Sequence, residues 1–107
     1  MASFYKNAKV DLTTTDVTTL YTAPAATTAI FKSLLVADDS GSTSTITVTI
    51  TDSASAVFVV YNVKATVANA TVELLTQPLV VQESEVLKVT AANANRLHVI
   101  GSYLEIT

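Results

Sequence analysis

Few residues in this chain have the chemistry of a metal site. His98 is the only histidine and cysteine is absent, so two histidines or two thiolates cannot hold a metal ion together. The run Asp38-Asp39-Ser40-Gly41-Ser42 is rich in the oxygen atoms that calcium prefers, but it lacks the spaced carboxylates and the final glutamate of an EF-hand loop. These residue types also favour tight turns. The sequence predicts a turn here, with no metal and no cofactor.

Catalytic residue patterns are also missing. Glu83 and Glu85 lie two residues apart, which on a strand places them on one face, whereas the carboxylates of a glycosidase flank a sugar from opposite sides. No Gly-x-Ser-x-Gly motif occurs, and two glycines are too few for a phosphate-binding loop. His98 stands between two apolar residues of a predicted strand, which favours a structural role. We predict no catalytic residues and no enzyme activity.

The elements that position these residues are β-strands. In the segment 44–51, isoleucine and valine alternate one for one with serine and threonine, and a period of two is the signature of a strand with one buried face. Predicted strands cover residues 9–13, 17–22, 29–37, 44–51, 57–62, 71–75, 86–91 and 96–106, separated by turn-forming residues. About eight short strands indicate an all-β fold, an antiparallel two-sheet β-sandwich or jelly roll. Residues 10–107 form one domain, preceded by an N-terminal arm, residues 1–9.

Composition excludes several classes of partner. The chain of 107 residues has a net charge of −3 and only six basic residues, so it lacks the positive field with which proteins bind nucleic acid directly. No uncharged stretch reaches the length that a membrane-spanning helix needs. The N-terminal residues lack the basic start and apolar core of a signal peptide. We predict a protein made inside the cell that binds neither nucleic acid nor membrane.

Half of the residues are hydrophobic and only 14% are charged, and several predicted strands carry apolar residues on both faces. A two-layer sandwich buries one face of each sheet, so the second face requires other protein. A neighbouring subunit, or a loop or the N-terminal arm of the same chain, could cover it. In the first case the protein is a homo-oligomer, with a trimer expected. The predicted interface residues are Phe4, Tyr5, Phe31, Leu35, Phe58, Ile100 and Leu104.

Several segments together resemble small virion-associated proteins of tailed bacteriophages and prophages. They are Leu20-Tyr21-Thr22-Ala23-Pro24, residues 30–36, Pro78-Leu79-Val80-Val81, Val86-Leu87-Lys88-Val89-Thr90-Ala91 and Ser102-Tyr103-Leu104-Glu105-Ile106. The similarity covers most of the chain from Asp11 onward and involves sandwich residues only. Where similar proteins often have a Gly-Asp turn, this chain has Glu83-Ser84-Glu85.

The resemblance implies a structural protein of the virion, made in the host cytoplasm. Within the particle we expect a capsid decoration (cement) protein that holds neighbouring subunits of the major capsid protein, or other virion proteins, together. Two alternatives stay open. One is a neck, tail or baseplate component, and the other is a β-sandwich module that binds host-surface glycans through tyrosines and loops rich in asparagine and aspartate.

Overall fold

The computed structural model describes residues 2–107, which contain nine strands and no helix. The strands are β1 (Ser3–Leu12), β2 (Thr18–Thr22), β3 (Thr28–Asp38), β4 (Thr45–Thr51), β5 (Val57–Ala65), β6 (Thr71–Glu73), β7 (Leu79–Val81), β8 (Val86–Ala91) and β9 (Leu97–Ile106). Sheet A has the strand order β1-β9-β3-β6, with β7 also beside β3, and sheet B has the order β2-β8-β4-β5. Both sheets are antiparallel and enclose one apolar core, which confirms the predicted sandwich.

The strand order is that of a jelly roll. Strands β6 and β7 pair with successive parts of β3 and act as one interrupted edge strand. The chain then forms four antiparallel pairs, β1 with β9, β2 with β8, β3 with β6 and β7, and β4 with β5. Folding this ribbon of pairs over on itself gives the two sheets of a jelly roll. The sequence did not predict β7, a short strand that follows Pro78.

The alternation read from the sequence places the core correctly in the central strands. In β4, Ile46 and Val48 are fully buried while the threonines between them lie on the outer face of sheet B. Strands β8 and β9 alternate in the same way. Ile50, expected in the core, is only partly buried, because its partner in the register is Phe58 on the exposed edge strand β5.

The N-terminal arm was predicted to precede the first strand, and the structure corrects this boundary. Strand β1 begins at Ser3 and pairs with β9 along its whole length, so residues 3–9 belong to sheet A; Met1 lies outside the described residues. The pattern concealed this strand because Ser3–Asn7 is exposed on both faces. Main-chain hydrogen bonds to β9, which leave no trace in side-chain periodicity, hold it in the sheet.

A bulge in β3 overturns the prediction for Phe31. The register of β3 against β9 shifts between Phe31 and Ser33, and one extra residue reverses the faces of all residues beyond it. Phe31 therefore points inward with Leu34, and its side chain is 0% exposed. The prediction that Phe31 lies in an interface is wrong, because strict alternation assigned it to the outer face.

Phe31 is the centre of an aromatic cluster in the core. Its ring stacks on Tyr103 at a centroid distance of 4.8 Å and meets Tyr21 edge-on at 5.4 Å. The ring also covers Gly101 of β9, where an added Cβ would lie only 2.6 Å from Phe31 Cε2. The absence of a side chain at Gly101 is what allows the ring to lie flat on the strand.

Strained backbone occurs at Val63 in β5, which has a φ of 49°. It lies where the register between β4 and β5 is irregular, and its N–H donates to Thr47 Oγ1 at 3.1 Å. A β-branched residue is unfavourable in this left-handed region, whereas glycine and asparagine tolerate it.

We therefore expect Val63→Asn to raise the free energy of unfolding by about 1 kcal/mol, measured by urea denaturation. Val63 is 59% exposed, so the change removes little packing. The control is Val59→Asn, on the same strand, 58% exposed and without a positive φ; it should not stabilise. A less stable Val63→Asn protein would contradict the inference that the backbone at Val63 is strained.

Candidate functional site

Glu105 on β9 is a buried carboxylate that contacts two other strands. Its Oε2 accepts a hydrogen bond of 2.6 Å from the Tyr21 hydroxyl of β2, and its Oε1 lies 2.9 Å from Lys6 Nζ of β1. Glu105 thus links both sheets and the edge strand β1 at one end of the sandwich. Sequence reasoning missed this cluster, because its members are distant in the chain.

In this cluster the pKa of the carboxyl group is lowered and the pKa of the tyrosine hydroxyl is raised, so both lie further from pH 7. The hydrogen bond from Tyr21, and then that from Lys6, holds the pKa of Glu105 below its usual value. Burial, and then the hydrogen bond to Glu105, raises the pKa of Tyr21 well above its usual value. The Glu105 carboxylate is therefore an anion at neutral pH, and its hydrogen bonds join β1 and β2 to β9.

His98 and the turn after Asp38, both singled out in the sequence, lie at the opposite end of sheet A from Glu105. His98 Nε2 is 3.3 Å from Asp11 Oδ1, and its Nδ1 is 3.8 Å from Asp39 Oδ2, all on exposed side chains. Within residues 2–107, no three histidine, aspartate or glutamate side chains are grouped closely enough to hold a metal ion.

The predicted turn after β3 is present, and Asp38 at its start is buried. Its Oδ1 accepts from the backbone N–H and the hydroxyl of Ser40, at 3.0 and 2.8 Å, and its Oδ2 lies 3.4 Å from Thr66 Oγ1. The carboxylate therefore fixes the turn by hydrogen bonding.

The outer face of sheet A carries two rows of apolar residues, separated by the polar row Asn7, Ser102 and Ser33. Directly paired residues point to the same side of a sheet, so the register places Tyr5, Leu104, Ile30 and Val80 in one row across four strands. A parallel row contains Ile100 and Leu35 at its centre, with Lys9 and Glu73 at its ends. We define the outer face of sheet A by its apolar residues Tyr5, Ile30, Leu35, Val80, Ile100 and Leu104.

Most of the predicted interface residues are accessible. Phe4, Tyr5, Phe58 and Ile100 are exposed, with Tyr5 the most open at 79%, while Leu35 and Leu104 are partly buried on the outer face of sheet A. Their place in an interface between chains stays a prediction. Ile30 and Val80 were missed, Ile30 because the bulge changes its face and Val80 because β7 was not predicted.

A second apolar surface runs along β5, the outermost strand of sheet B. Val57, Phe58 and Val59 are each more than half exposed, and no charged residue interrupts residues 57–63. Proteins usually protect an edge strand with a charge, a proline or a cover, because its free main-chain groups attract another strand. Apart from the irregularity near Val63, this stretch lacks such protection. We call it the β5 edge.

The outer face of sheet B differs from that of sheet A. Its central strand β4 presents threonines, flanked by Lys88 and Thr90 of β8. The centre of the outer face of sheet B is therefore polar, and its exposed apolar residues lie on the edge strand β5.

Three of the four tyrosines do not expose the ring face that stacking on a sugar needs. Tyr21 and Tyr103 are buried, and Tyr61 is partly buried with its hydroxyl donating to the carbonyl of Leu74. Only Tyr5 has a largely exposed ring.

Within residues 2–107, no helix is long and apolar enough to cross a membrane. The fold and surfaces define a jelly-roll sandwich with two exposed apolar surfaces and a structural ionic cluster. Comparisons with protein-family models, with curated proteins and with solved structures found no match.

Proposed function

We propose that this protein is a structural virion component, a capsid decoration (cement) protein that attaches to the assembled head. The observation that carries the proposal is the presence of two separate exposed apolar surfaces, the outer face of sheet A and the β5 edge. Exposed apolar patches favour contact with other protein. Two of them on different sides of one small domain suit a protein that joins neighbours.

The β5 edge is suited to the major capsid protein. An exposed edge strand binds an extended segment by main-chain hydrogen bonds, and its side chains then occupy the partner's pockets. The aromatic ring of Phe58 is the natural anchor, because large aromatic residues dominate the energy of protein interfaces. The outer face of sheet A remains free for a further copy of the protein, in keeping with the predicted homo-oligomer.

Sequence resemblance and fold class support the same role. The segments that resemble phage virion proteins fall on strands β2, β3, β7, β8 and β9 and their flanking residues, and the jelly roll is a fold that viral capsids use. A cement protein acts by burying surface between subunits, and binding to the assembled state stabilises that state by mass action. In this role the protein is made in the host cytoplasm and ends in the virion.

The test compares phage particles with and without the protein. Particles that lack it should assemble but release DNA at a lower temperature, most clearly at low salt, where repulsion between packaged phosphates is least screened. Phe58→Lys should reduce the copies bound per particle. The matched control is Val17→Lys, because Val17 is 64% exposed but lies in the β1–β2 loop, outside both surfaces.

Particles that lack the protein and keep full heat resistance would contradict a cement role. If they also lacked tails, a neck, tail or baseplate component would be favoured. If they were intact but failed to adsorb to cells, the glycan-binding alternative would be favoured.

A further inference from the structure

The outer face of sheet A has opposite charges at its two edges. In the row Lys9–Ile100–Leu35–Glu73, the basic residue lies on β1 and the acidic residue on β6, with two apolar residues between them. Lys9 and Glu73 are three strand spacings apart, about 14 Å, and therefore do not meet within one chain. Among residues 2–107, neither takes part in an ion pair.

Glu73 is held as a fixed anion. Burial raises the pKa of Glu73, but hydrogen bonds from the Ser33 hydroxyl and the backbone N–H of Leu34 and Leu75 outweigh it, so the pKa lies below its usual value. These donors are neutral, so the negative charge is not cancelled. Glu73 is exposed, so a cation of another chain can approach it.

We propose that a second copy of this chain covers the outer face of sheet A, related to the first by a twofold axis that runs parallel to the strands between β9 and β3. This rotation places the β1 edge of each copy over the β6 and β7 edge of the other. Lys9 then faces Glu73 of the second copy, twice per dimer. In the same way Tyr5 faces Val80, and Leu104 faces Ile30.

The size of the face is sufficient for such a contact. Strand β9 has ten residues, which at the usual rise and strand spacing gives a four-stranded face of about 33 by 19 Å, or about 600 Å² per copy. The total of about 1,200 Å² lies at the lower end of stable protein interfaces. Twofold symmetry is also the commonest symmetry among homo-oligomers, and in it the same surface of each copy forms the contact.

The first test is the mass of the purified protein in solution by light scattering at micromolar concentration. We expect twice the chain mass of 11.3 kDa. Lys9→Glu places like charges opposite each other at two symmetric positions, so the dimer dissociation constant should rise about tenfold. The control is Lys88→Glu on the outer face of sheet B, which should leave the mass unchanged.

The second test determines the relative orientation of the two copies by crosslinking. The chain has no native cysteine that could react with the crosslinker. Tyr5→Cys together with Val80→Cys should give a covalent dimer with a short bis-maleimide, because the two positions meet only between copies. Each single variant should stay uncrosslinked, since two copies of the same position lie at opposite edges of the dimer.

A mass of one chain, or equal crosslinking of the single variants, would overturn the proposed contact. A mass of three chains would overturn the twofold axis and support the trimer predicted from the sequence. Both tests use the isolated protein and do not depend on its place in a virion.

Discussion

Replacing Phe31 with alanine is expected to lower the free energy of unfolding by about 3–5 kcal/mol, the usual range for removing a buried aromatic side chain. Phe31 is fully buried and contacts two other aromatic rings, so its removal leaves a cavity that a packed sandwich core cannot fill. Urea denaturation monitored by circular dichroism measures the change. The matched control is Phe58→Ala, because Phe58 is 59% exposed in the same chain and should change stability by less than about 0.5 kcal/mol.

Gly101→Ala extends this prediction to the other side of the contact. The added methyl group lies only 2.6 Å from the Phe31 ring, so the ring must move, at a cost of about 1–3 kcal/mol. In the double variant with Phe31→Ala the methyl group has room, and the combined loss should be smaller than the sum of the two. Strictly additive losses would show that the ring does not lie on Gly101.

The second large effect is expected at Glu105. Glu105→Ala leaves the Tyr21 hydroxyl buried without an acceptor and removes the partner of Lys6. We expect a loss of about 2–3 kcal/mol at pH 7, because a buried donor without a partner costs more than the bond itself contributes. Glu105→Gln retains an acceptor oxygen for Tyr21 and should lose less. Urea denaturation at pH 7 compares the two variants.

The pH dependence gives a second readout for the same residue. The pKa of Glu105 is lowered in the folded protein, so its ionised form stabilises the fold above the unfolded pKa of about 4.3. This contribution is lost as the pH falls through the lower folded pKa. Glu105→Gln should therefore lose less stability between pH 7 and pH 3 than the unmodified protein, while Asp16→Asn, in an exposed loop, should behave like the unmodified protein. A pH profile unchanged by Glu105→Gln would contradict this assignment.

The sequence was sufficient to predict the strands in which one face is buried and the other is exposed to solvent. In β4 and β8 the environment of each residue except Ile50 follows from its position in the alternation, because the register between the two strands is regular. The fold class follows from such strands and from the turn residues between them. The strands that it failed to predict, the start of β1 and the whole of β7, are edge segments whose place depends on main-chain pairing with a distant strand.

The surfaces were harder to predict than the core. One extra residue in β3 exchanged Ile30 and Phe31 between the outer face and the core, and a bulge of this kind depends on the partner strand as well as on the local sequence. The link between Tyr21 and Glu105 joins strands from two sheets, and single-chain patterns carry no signal for it. Ile100 was correctly expected to be exposed because an apolar residue stands on the outer side of a predicted strand. Tyr5 is also exposed, but it had been assigned to the N-terminal arm and lies in β1.

The pairing of β9 with both β1 and β3 sets the order in which the fold can be completed. Sheet A has no continuous hydrogen bonding until β9 is inserted between two strands that are synthesised much earlier. During translation, β1 has no strand to pair with until β9 is made, whereas β3 can pair with β6 and β7, and β4 with β5, before that. Contacts between distant segments slow folding and prolong exposure of apolar chain. A ribosome-bound chain that stops before β9 is therefore expected to be a substrate for chaperones, and release of β9 becomes the step that commits the molecule to its native state.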